Sequence, residues 1–247
     1  MPFYFINNEN CSGDTIVIPN PLSHHLAHVL RYAPGDSMTL VDEARNRYDV
    51  TVSALFPDRL VTKIVSKKEA DPPQTPQLHL GIALLKGDRT DWAIQKGVEL
   101  GAARISVLTT RYVAIKIPND KMARQQKRWF EIAKEAAQQS ERLEIPEIDP
   151  PSTLSSFLEK TNSTDLKLLF WEKEASFLSF REAIESGKVA KAETCAVLIG
   201  PEGGWEKGEV DQAIGKGYIS VSLGKRPLRA ETATLAALSI LQYEIGK

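Results

Sequence analysis

Residues 195–205 read CAVLIGPEGGW, and this stretch decides the fold. Residues 195–199 form a continuous apolar run, which is typical of a strand buried on both faces of a parallel sheet. The run ends in glycines on either side of Pro201 and Glu202, and glycine lets a backbone approach a ligand without side-chain obstruction. In an open α/β sheet, ligands bind beyond the carboxyl ends of the strands. We therefore predict a buried strand that leads into a binding loop.

A second loop of this kind follows the last predicted strand. Residues 223–233 read LGKRPLRAETA and place Arg226 and Arg229 where the last predicted helix begins. Backbone N–H groups and the helix dipole favour an anion at such a position. Taken separately, each loop could be an ordinary turn, because glycine serves tight turns and arginine is usually a surface residue. Because the loops end consecutive β–α units, we predict that they face one crevice.

The proline-rich residues 72–76 divide the chain into two predicted domains. Three prolines within five residues suit neither a helix nor a central strand, so we expect a linker there. Residues 1–71 contain short β-branched runs and one helical stretch, which indicate a small barrel or sandwich. Residues 77–247 alternate apolar runs with helices and indicate an α/β domain. The predicted strands are 16–18, 37–41, 48–52, 60–65, 78–85, 105–108, 166–171, 195–199 and 219–223, and the clearest predicted helices are 24–31, 129–140 and 229–243.

Charge and composition exclude several classes of protein. The 247 residues carry a formal net charge of -1, which excludes a strongly basic nucleic-acid coat protein but leaves room for a local basic patch. Two cysteines cannot form a disulfide framework. His24, His25 and His28 share one helix without a nearby cysteine, so we interpret them as ordinary helix residues and expect no metal. We find no signal peptide and no membrane-spanning run, and we expect a cytoplasmic protein.

Standard catalytic and nucleotide-binding motifs are absent from the sequence. It contains no P-loop, no G-x-G-x-x-G after a strand and no H-E-x-x-H. It also lacks the G-x-S-x-G nucleophile elbow of α/β-hydrolases. P-loop enzymes, dinucleotide-dependent enzymes, zinc proteases and α/β-hydrolases are therefore unsupported.

Taken together, residues 198–204 and 223–233 resemble the knot motifs of the RsmE family. Members of that family are SPOUT-class methyltransferases that act on small-subunit ribosomal RNA. Residues 25–31 and 34–36 are similar to the PUA-like RNA-binding barrel of the same family. Further similar segments are residues 86–89, 94–101, 111, 141–142 and 145–148, so the resemblance covers nearly the whole chain.

The resemblance implies an α/β fold, a SPOUT-type parallel sheet with a deep C-terminal trefoil knot, preceded by a small PUA-like β-barrel. It further implies a homodimer, S-adenosylmethionine as the methyl donor, and methylation of uridine N3 in 16S rRNA. Because the net charge is so weak, we expect the assembled 30S particle to be a better substrate than naked RNA. The implied cofactor-binding residues are Leu198, Gly200, Glu202, Gly203, Leu223, Gly224, Leu228, Arg229, Thr232, Ala233 and, from the loop after residues 166–171, Glu172.

Methyl transfer from a sulfonium is an in-line displacement, so positioning the reactants can supply much of the acceleration. The imide proton of uridine N3 must leave, and two routes stay open. Glu202 or Glu231 could act as a general base, or Arg142, reaching across a dimer, could stabilise charge on a uracil oxygen. The candidate catalytic set is Arg142, Arg229, Glu231 and Glu202, and the candidate RNA-binding set is Arg31, Lys86, Arg89, Lys96 and Arg111.

Two other kinds of function stay open at this stage. A SPOUT enzyme could instead methylate a ribose 2′-hydroxyl or a tRNA base. A non-catalytic ribosome-assembly factor could retain the fold without the activity. The presence of both glycine loops disfavours that factor, because a protein without a cofactor has no physical need for them.

Overall fold

The structure is a computed structural model, and it describes residues 3–73, 75–113, 115, 117–171 and 178–245. The chain forms two compact units. The first unit comprises Met1–Pro72 and Ala137–Ile145, and the second comprises Pro73–Ala136 and Pro146–Lys247. Residues 137–145, which follow the predicted linker by some sixty positions, thus group with the first unit.

A curled six-stranded sheet forms most of the first unit. Its order is β1-β4-β5-β6-β3-β2, with β1 and β4 parallel and the other neighbours antiparallel. Breaks in the β5–β6 register after Asp49 and Val52 bend the sheet, as β-bulges do. The strands are β1 (Phe3–Phe5), β2 (Cys11–Ser12), β3 (Thr15–Pro19), β4 (Ser37–Val41), β5 (Arg47–Leu55) and β6 (Arg59–Lys68).

Alternate side chains of these strands form the core of the first unit. Ile16, Ile18 and Leu60 are fully buried, together with Leu40 and Val50. This alternation with a period of two is what places one face of the sheet inward. The predicted helix at 24–31 begins earlier, as α1 (Leu22–His24), and continues as a π-helical turn over His25–Val29. The half-barrel confirms the predicted PUA-like module.

A fully parallel sheet forms the centre of the second unit, which confirms the predicted SPOUT-type α/β architecture. Its order is β10-β8-β7-β13-β11-β14-β12, and β9 pairs with β8. Its strands are β7 (Gln77–Ala83), β8 (Ala102–Thr109), β9 (Glu147–Ile148), β10 (Ser152–Thr153), β11 (Leu166–Phe170), β12 (Leu178–Ser179), β13 (Thr194–Ile199) and β14 (Ile219–Ser222). Its helices are α2 (Arg89–Glu99), α3 (Met122–Gln139, whose last residues belong to the first unit), α4 (Leu154–Lys160), α5 (Phe180–Glu185), α6 (Lys188–Lys191), α7 (Lys207–Gly215) and α8 (Ala230–Ile245).

Helices cover both faces of this sheet, which explains the continuous apolar strands. Leu80, Ile82 and Val197 are buried at 0% exposure in β7 and β13. On one face α2 packs against α8, and on the other α4 and α7 contribute to a cluster with Leu198. Gly81 allows the close approach of α4, because a Cβ there would lie 2.6 Å from the Phe157 ring.

Most predicted elements are confirmed, with shifted ends. Helix α3 begins at Met122, earlier than the predicted residue 129. Its first two turns are largely exposed and carry no apolar stripe, so the hydrophobic periodicity did not predict them. The prediction gave no bounds for the shortest strands or for the helices α2 and α4 to α7. Within the described residues, no helix is long and apolar enough to cross a bilayer, and no group of three metal-ligating side chains occurs.

Candidate functional site

A cleft of about 300 Å³ lies at the carboxyl edge of β11, β13 and β14. Both predicted loops, residues 200–205 and 223–230, form its walls. This is the edge at which ligands bind in open parallel sheets. The lining residues are Phe170, Trp171, Ile199, Gly200, Pro201, Glu202, Gly204, Trp205, Val221, Ser222, Leu223, Gly224, Arg226, Pro227, Leu228, Arg229, Ala230 and Ala233.

Trp205 fixes the first loop against the sheet. Its indole is 3% exposed, and its Nε1–H donates to the carbonyl oxygen of Phe170 at 3.1 Å. A Cβ on Gly200 would lie 2.9 Å from that Nε1, so only glycine fits beside the indole. Gly204 has φ +76° and donates its N–H to the Pro201 carbonyl at 2.9 Å. The glycines thus serve the close packing that gives the loop one shape.

The second loop presents two arginines at the cleft. Gly224 adopts φ +128°, which L side chains avoid, and its N–H and carbonyl both bond the Ser222 hydroxyl. The chain then turns into α8 at Ala230. Arg226 and Arg229 are exposed, and neither forms an ion pair or a side-chain hydrogen bond with any residue that the structure describes. Two unpaired guanidinium groups beside a helix N-terminus suit an anionic group.

The two carboxylates that the sequence suggests as bases share one guanidinium. Glu202 Oε1 accepts from the Lys86 backbone N–H at 3.1 Å and from Arg89 Nη1 at 3.2 Å. Arg89 Nε lies 3.8 Å from Glu231 Oε1. The other oxygen of Glu231 is buried and has no hydrogen-bond partner among the described residues. Arg89 therefore connects the loop after β7 with Glu202 and with the first turn of α8.

Seven of the predicted cofactor-binding residues line the cleft: Gly200, Glu202, Leu223, Gly224, Leu228, Arg229 and Ala233. Of the described residues in that set, Leu198, Gly203 and Thr232 do not line it. Leu198 lies in the core cluster instead, because alternate side chains of β13 face opposite sides of the sheet. Glu172 falls outside the described residues.

Sequence reasoning missed several residues that shape the cleft. Phe170 and Trp171 stand at the end of β11, and Trp205 follows the glycine loop. The sequence contained a signal for Phe170 and Trp171, because these residues end a predicted strand. The ends of parallel strands lie at the same edge of the sheet as the two predicted loops. What the sequence does not reveal is that the Trp205 side chain reaches the end of the neighbouring strand β11.

Arg142, a candidate catalytic residue, belongs to the first unit. Its Nη2 lies 3.4 Å from Glu144 Oε1, and Glu144 Oε2 lies 3.3 Å from Arg45 Nε. Burial lowers the pKa of the Arg142 guanidinium, and the attraction of Glu144 opposes that effect. Arg142 is thus a half-buried group with a carboxylate beside it.

The five predicted RNA-binding residues have different surroundings. Lys96 pairs with Glu99 at 2.7 Å, and Arg89 is held by Glu202 and Glu231 as described above. Arg31, Lys86 and Arg111 are exposed. The backbone N–H of Arg111 donates to Glu209 Oε1 at 2.8 Å, which fixes the start of its loop.

A buried polar cluster that the sequence did not suggest surrounds Asp149, which follows β9. Asp149 is 3% exposed and accepts from Arg104 at 2.7 Å, from Lys160 at 2.8 Å and from the Ser106 hydroxyl. His79 Nε2 lies 3.5 Å from Asp149 Oδ2. Burial alone raises the pKa of Asp149, but the hydrogen bonds of these four neighbours outweigh it and hold the pKa well below its usual range. Burial also lowers the pKa of His79.

Comparisons with known proteins agree on one family. Residues 72–242 match the RNA methyltransferase domain family. The ribosomal RNA small subunit methyltransferase E of Synechocystis is 33% identical over 91% of this chain and 72% of that protein. The protein of the same name from Bacillus subtilis is 28% identical over 90% of this chain and 87% of its own length.

Solved structures show the same architecture. A ribosomal RNA small subunit methyltransferase E from Neisseria gonorrhoeae, bound to S-adenosyl methionine, matches with a TM-score of 0.84 at 31% identity and covers 98% of this chain and 97% of its own. A putative methyltransferase from Legionella pneumophila, in complex with the same cofactor, matches with a TM-score of 0.86 at 30% identity and covers 98% and 96%.

The parallel sheet, the cleft at its carboxyl edge and the match over residues 72–242 define an RNA methyltransferase of the SPOUT class. Both units, not the methyltransferase domain alone, are shared with the relatives described above. The chain belongs to the RsmE family of ribosomal RNA small subunit methyltransferases.

Proposed function

We propose that this protein transfers a methyl group from S-adenosylmethionine to N3 of a uridine in 16S rRNA. The observation that carries the proposal is the cleft between the two glycine loops, with Arg226 and Arg229 unpaired within the described chain. Support comes from the relatives, whose names specify the ribosomal small subunit, and from the similar structures that hold the methyl donor.

The cleft residues fit the chemical groups of S-adenosylmethionine. Its adenine is planar and largely apolar at its faces, and Ile199, Leu223 and Leu228 supply apolar walls. Its carboxylate suits Arg226 or Arg229, and Glu202 is the carboxylate in the wall that can face a positive charge. We assign the cofactor to these residues and to the backbone of Gly200 and Gly224.

When bound, S-adenosylmethionine supplies an electrophilic methyl group. The protein contributes orientation and exclusion of water, which can account for much of the acceleration of a displacement reaction. The N3 proton must pass to a base, and Glu202 is the carboxylate that the cleft presents. Arg89 donates to Glu202 Oε1 at 3.2 Å and so holds this carboxylate in place.

The test is methylation by the purified wild-type protein with labelled S-adenosylmethionine, followed by mass spectrometry of the digested RNA. The proposal expects N3-methyluridine in small-subunit RNA. Arg229→Ala should weaken cofactor binding in calorimetry, whereas Arg124→Ala, an exposed arginine outside the cleft lining, should not. Finding 2′-O-methyluridine or a methylated tRNA would instead establish another SPOUT activity.

A non-catalytic assembly factor is the alternative from another class. It would bind ribosomal particles without methylating any RNA. Cofactor binding that Arg229→Ala abolishes, together with product formation, would exclude this alternative. We further propose a homodimer that acts on the assembled 30S particle, which predicts a dimer mass in sedimentation and higher turnover on particles than on naked RNA.

We also propose that the C-terminal segment forms a trefoil knot. The strand order supports this, because β14 lies between β11 and β12 although both precede it in the chain. A large folded domain fused to the C-terminus should then slow refolding from denaturant, because that end must be threaded. The same domain fused to the N-terminus serves as the control.

A further inference from the structure

A second cavity of about 270 Å³ lies in the methyltransferase unit, between the segment 84–91 and α3. Its floor is apolar, with Leu84, Leu85 and Trp129 all at least 94% buried. Its other lining residues are Gly87, Asp88, Thr90, Asp91, Ile115, Ile117, Gln125 and Arg128. The volume is below the roughly 300–1,000 Å³ of pockets for drug-sized ligands, so it suits one flat ring rather than a second cofactor.

The floor and one rim of this cavity are held rigidly. Asp91 accepts from Trp129 Nε1 at 3.0 Å and from Arg128 Nε at 2.9 Å, which ties the first turn of α2 to α3. The Thr90 hydroxyl accepts from the Leu85 backbone N–H at 2.9 Å. A site whose walls are already bonded to one another loses little entropy when it binds a ligand.

Two polar groups of the cavity are free to bind a ligand. Among the residues that the structure describes, neither the Asp88 carboxylate nor the Gln125 amide has a side-chain hydrogen bond. Asp88 can accept an N–H, and the Gln125 NH₂ can donate to a carbonyl oxygen. Together they match a base edge on which an N–H donor stands next to an acceptor. The donor and acceptor are a ring N–H and a carbonyl in uracil and guanine, and an amino group and a ring nitrogen in adenine and cytosine.

The segment 84–91 connects the cavity with the cofactor cleft. Six of its residues line the cavity, and the other two, Lys86 and Arg89, donate to Glu202 of the cleft. The two linings have no described residue in common. A base in the cavity is therefore not the one in line with the methyl group, but it lies beside it.

We propose that this cavity binds an unstacked nucleobase of the RNA next to the methylated uridine, through a base edge whose N–H donor and adjacent acceptor contact Asp88 and Gln125. This inference rests on the proposed RNA methyltransferase function. Proteins that read single-stranded RNA commonly hold splayed bases in this way, with an apolar floor and hydrogen bonds to the base edge.

The direct test uses nucleosides and no enzyme activity. Each of the four nucleosides at millimolar concentration should shift the indole N–H resonance of Trp129, assigned with Trp129→Phe, whereas ribose at the same concentration should not. Asp88→Asn and Gln125→Leu should abolish the shift. Gln139→Leu, on the same helix and outside the cavity, should retain it. An unmoved indole, or an equal shift with ribose, would overturn the inference.

Kinetic measurements with RNA as the substrate distinguish a failure of this inference from a failure of the proposed function. Asp88→Asn and Gln125→Leu should raise the KM for RNA about tenfold, with kcat and the Kd for S-adenosylmethionine within twofold of wild type. If the wild-type protein methylates RNA and both variants keep its KM, the cavity inference fails alone. If the wild-type protein methylates nothing, the proposed function fails, and the nucleoside titration still decides what the cavity binds.

Discussion

Arg89 is a charged residue whose role depends on what faces it. From the sequence it is one of several cations available to RNA, but in the fold it lies between Glu202 and Glu231. Without it, two carboxylates would lie close together with no counter-charge, and like charges at short range disfavour one another. In the fold, Arg89 thus holds the carboxylate of the first cleft loop, and its contact with RNA stays a prediction.

Replacing Arg89 tests that role. We expect Arg89→Ala to weaken binding of S-adenosylmethionine about tenfold, because the loop that carries Glu202 loses a charge-assisted hydrogen bond of a partly exposed pair. Arg89→Lys should recover part of the affinity. Calorimetric titration measures both, with Arg124→Ala as the control. Wild-type affinity in Arg89→Ala would show that the contact does not order the loop.

Gly200 provides a second test at the scale of one residue. A Cβ there would lie 2.9 Å from Trp205 Nε1, so Gly200→Ala should displace the indole and break its bond to Phe170. We expect a loss of about 1–3 kcal/mol in the free energy of unfolding, together with loss of cofactor binding. Urea unfolding provides the measurement.

Gly208 is the matched control for that substitution. It lies in α7, and a Cβ there would meet no atom within 4 Å. Gly208→Ala should stabilise the protein by about 0.5–1 kcal/mol, because alanine is the better helix former. If both alanine variants behaved alike, the close approach of Trp205 would not be the reason for glycine at position 200.

At the scale of elements, the Asp149 cluster joins β7, β8, the segment after β9, and α4 through one buried carboxylate. Because the pKa of Asp149 is lowered in the folded protein, this carboxylate adds stability above its ordinary pKa near 4. That contribution is lost as the pH falls through the ordinary value towards the lowered one.

Asp149→Asn should therefore destabilise the protein by about 2–3 kcal/mol at pH 7, since it leaves Arg104 and Lys160 without their charged partner. The difference from wild type should shrink below about pH 4, where the carboxylate of the unfolded wild-type chain begins to protonate. Urea unfolding at pH 7 and below pH 4 tests both statements. A constant difference across that range would mean that the charge of Asp149 contributes nothing.

The elements also show how much of the structure could be predicted from the sequence. The strand β13 and its loop could be predicted because an apolar run followed by glycines leaves few other structures for those residues. The Asp149 cluster could not, because its contacts join distant positions, such as His79 and Arg104 with Asp149, and none of these residues stands in a motif. Leu198 is an intermediate case: its place in a motif next to the cleft is clear, but the alternation of the strand turns its side chain into the core.

At the scale of the whole molecule, the net charge of -1 requires that RNA be bound through local cations. Of the proposed contacts, Arg31, Lys86 and Arg111 are exposed, whereas Lys96 is paired with Glu99. Each phosphate contact contributes about one unit to the slope of log K against log salt concentration.

We therefore expect Arg111→Ala to reduce the salt slope of RNA binding by about one, and Lys96→Ala to leave it nearly unchanged. Filter binding of the small-subunit RNA at several salt concentrations gives the slopes. Equal slopes for wild type and Arg111→Ala would remove Arg111 from the RNA surface, and a smaller slope for Lys96→Ala would place Lys96 on it.

The position of the cleft residues along the chain has a consequence for folding during translation. The described residues that line the cleft lie between 170 and 233, and the strands of the first unit all precede them, so the half-barrel is translated before any of these walls. Domains fold in the order of synthesis, and the strands of the first unit are finished long before this. Translation must therefore reach residue 233 before all the described walls of the cleft exist. A chain that ended between residues 73 and 169 would carry every strand of the half-barrel and none of the described walls of the cleft.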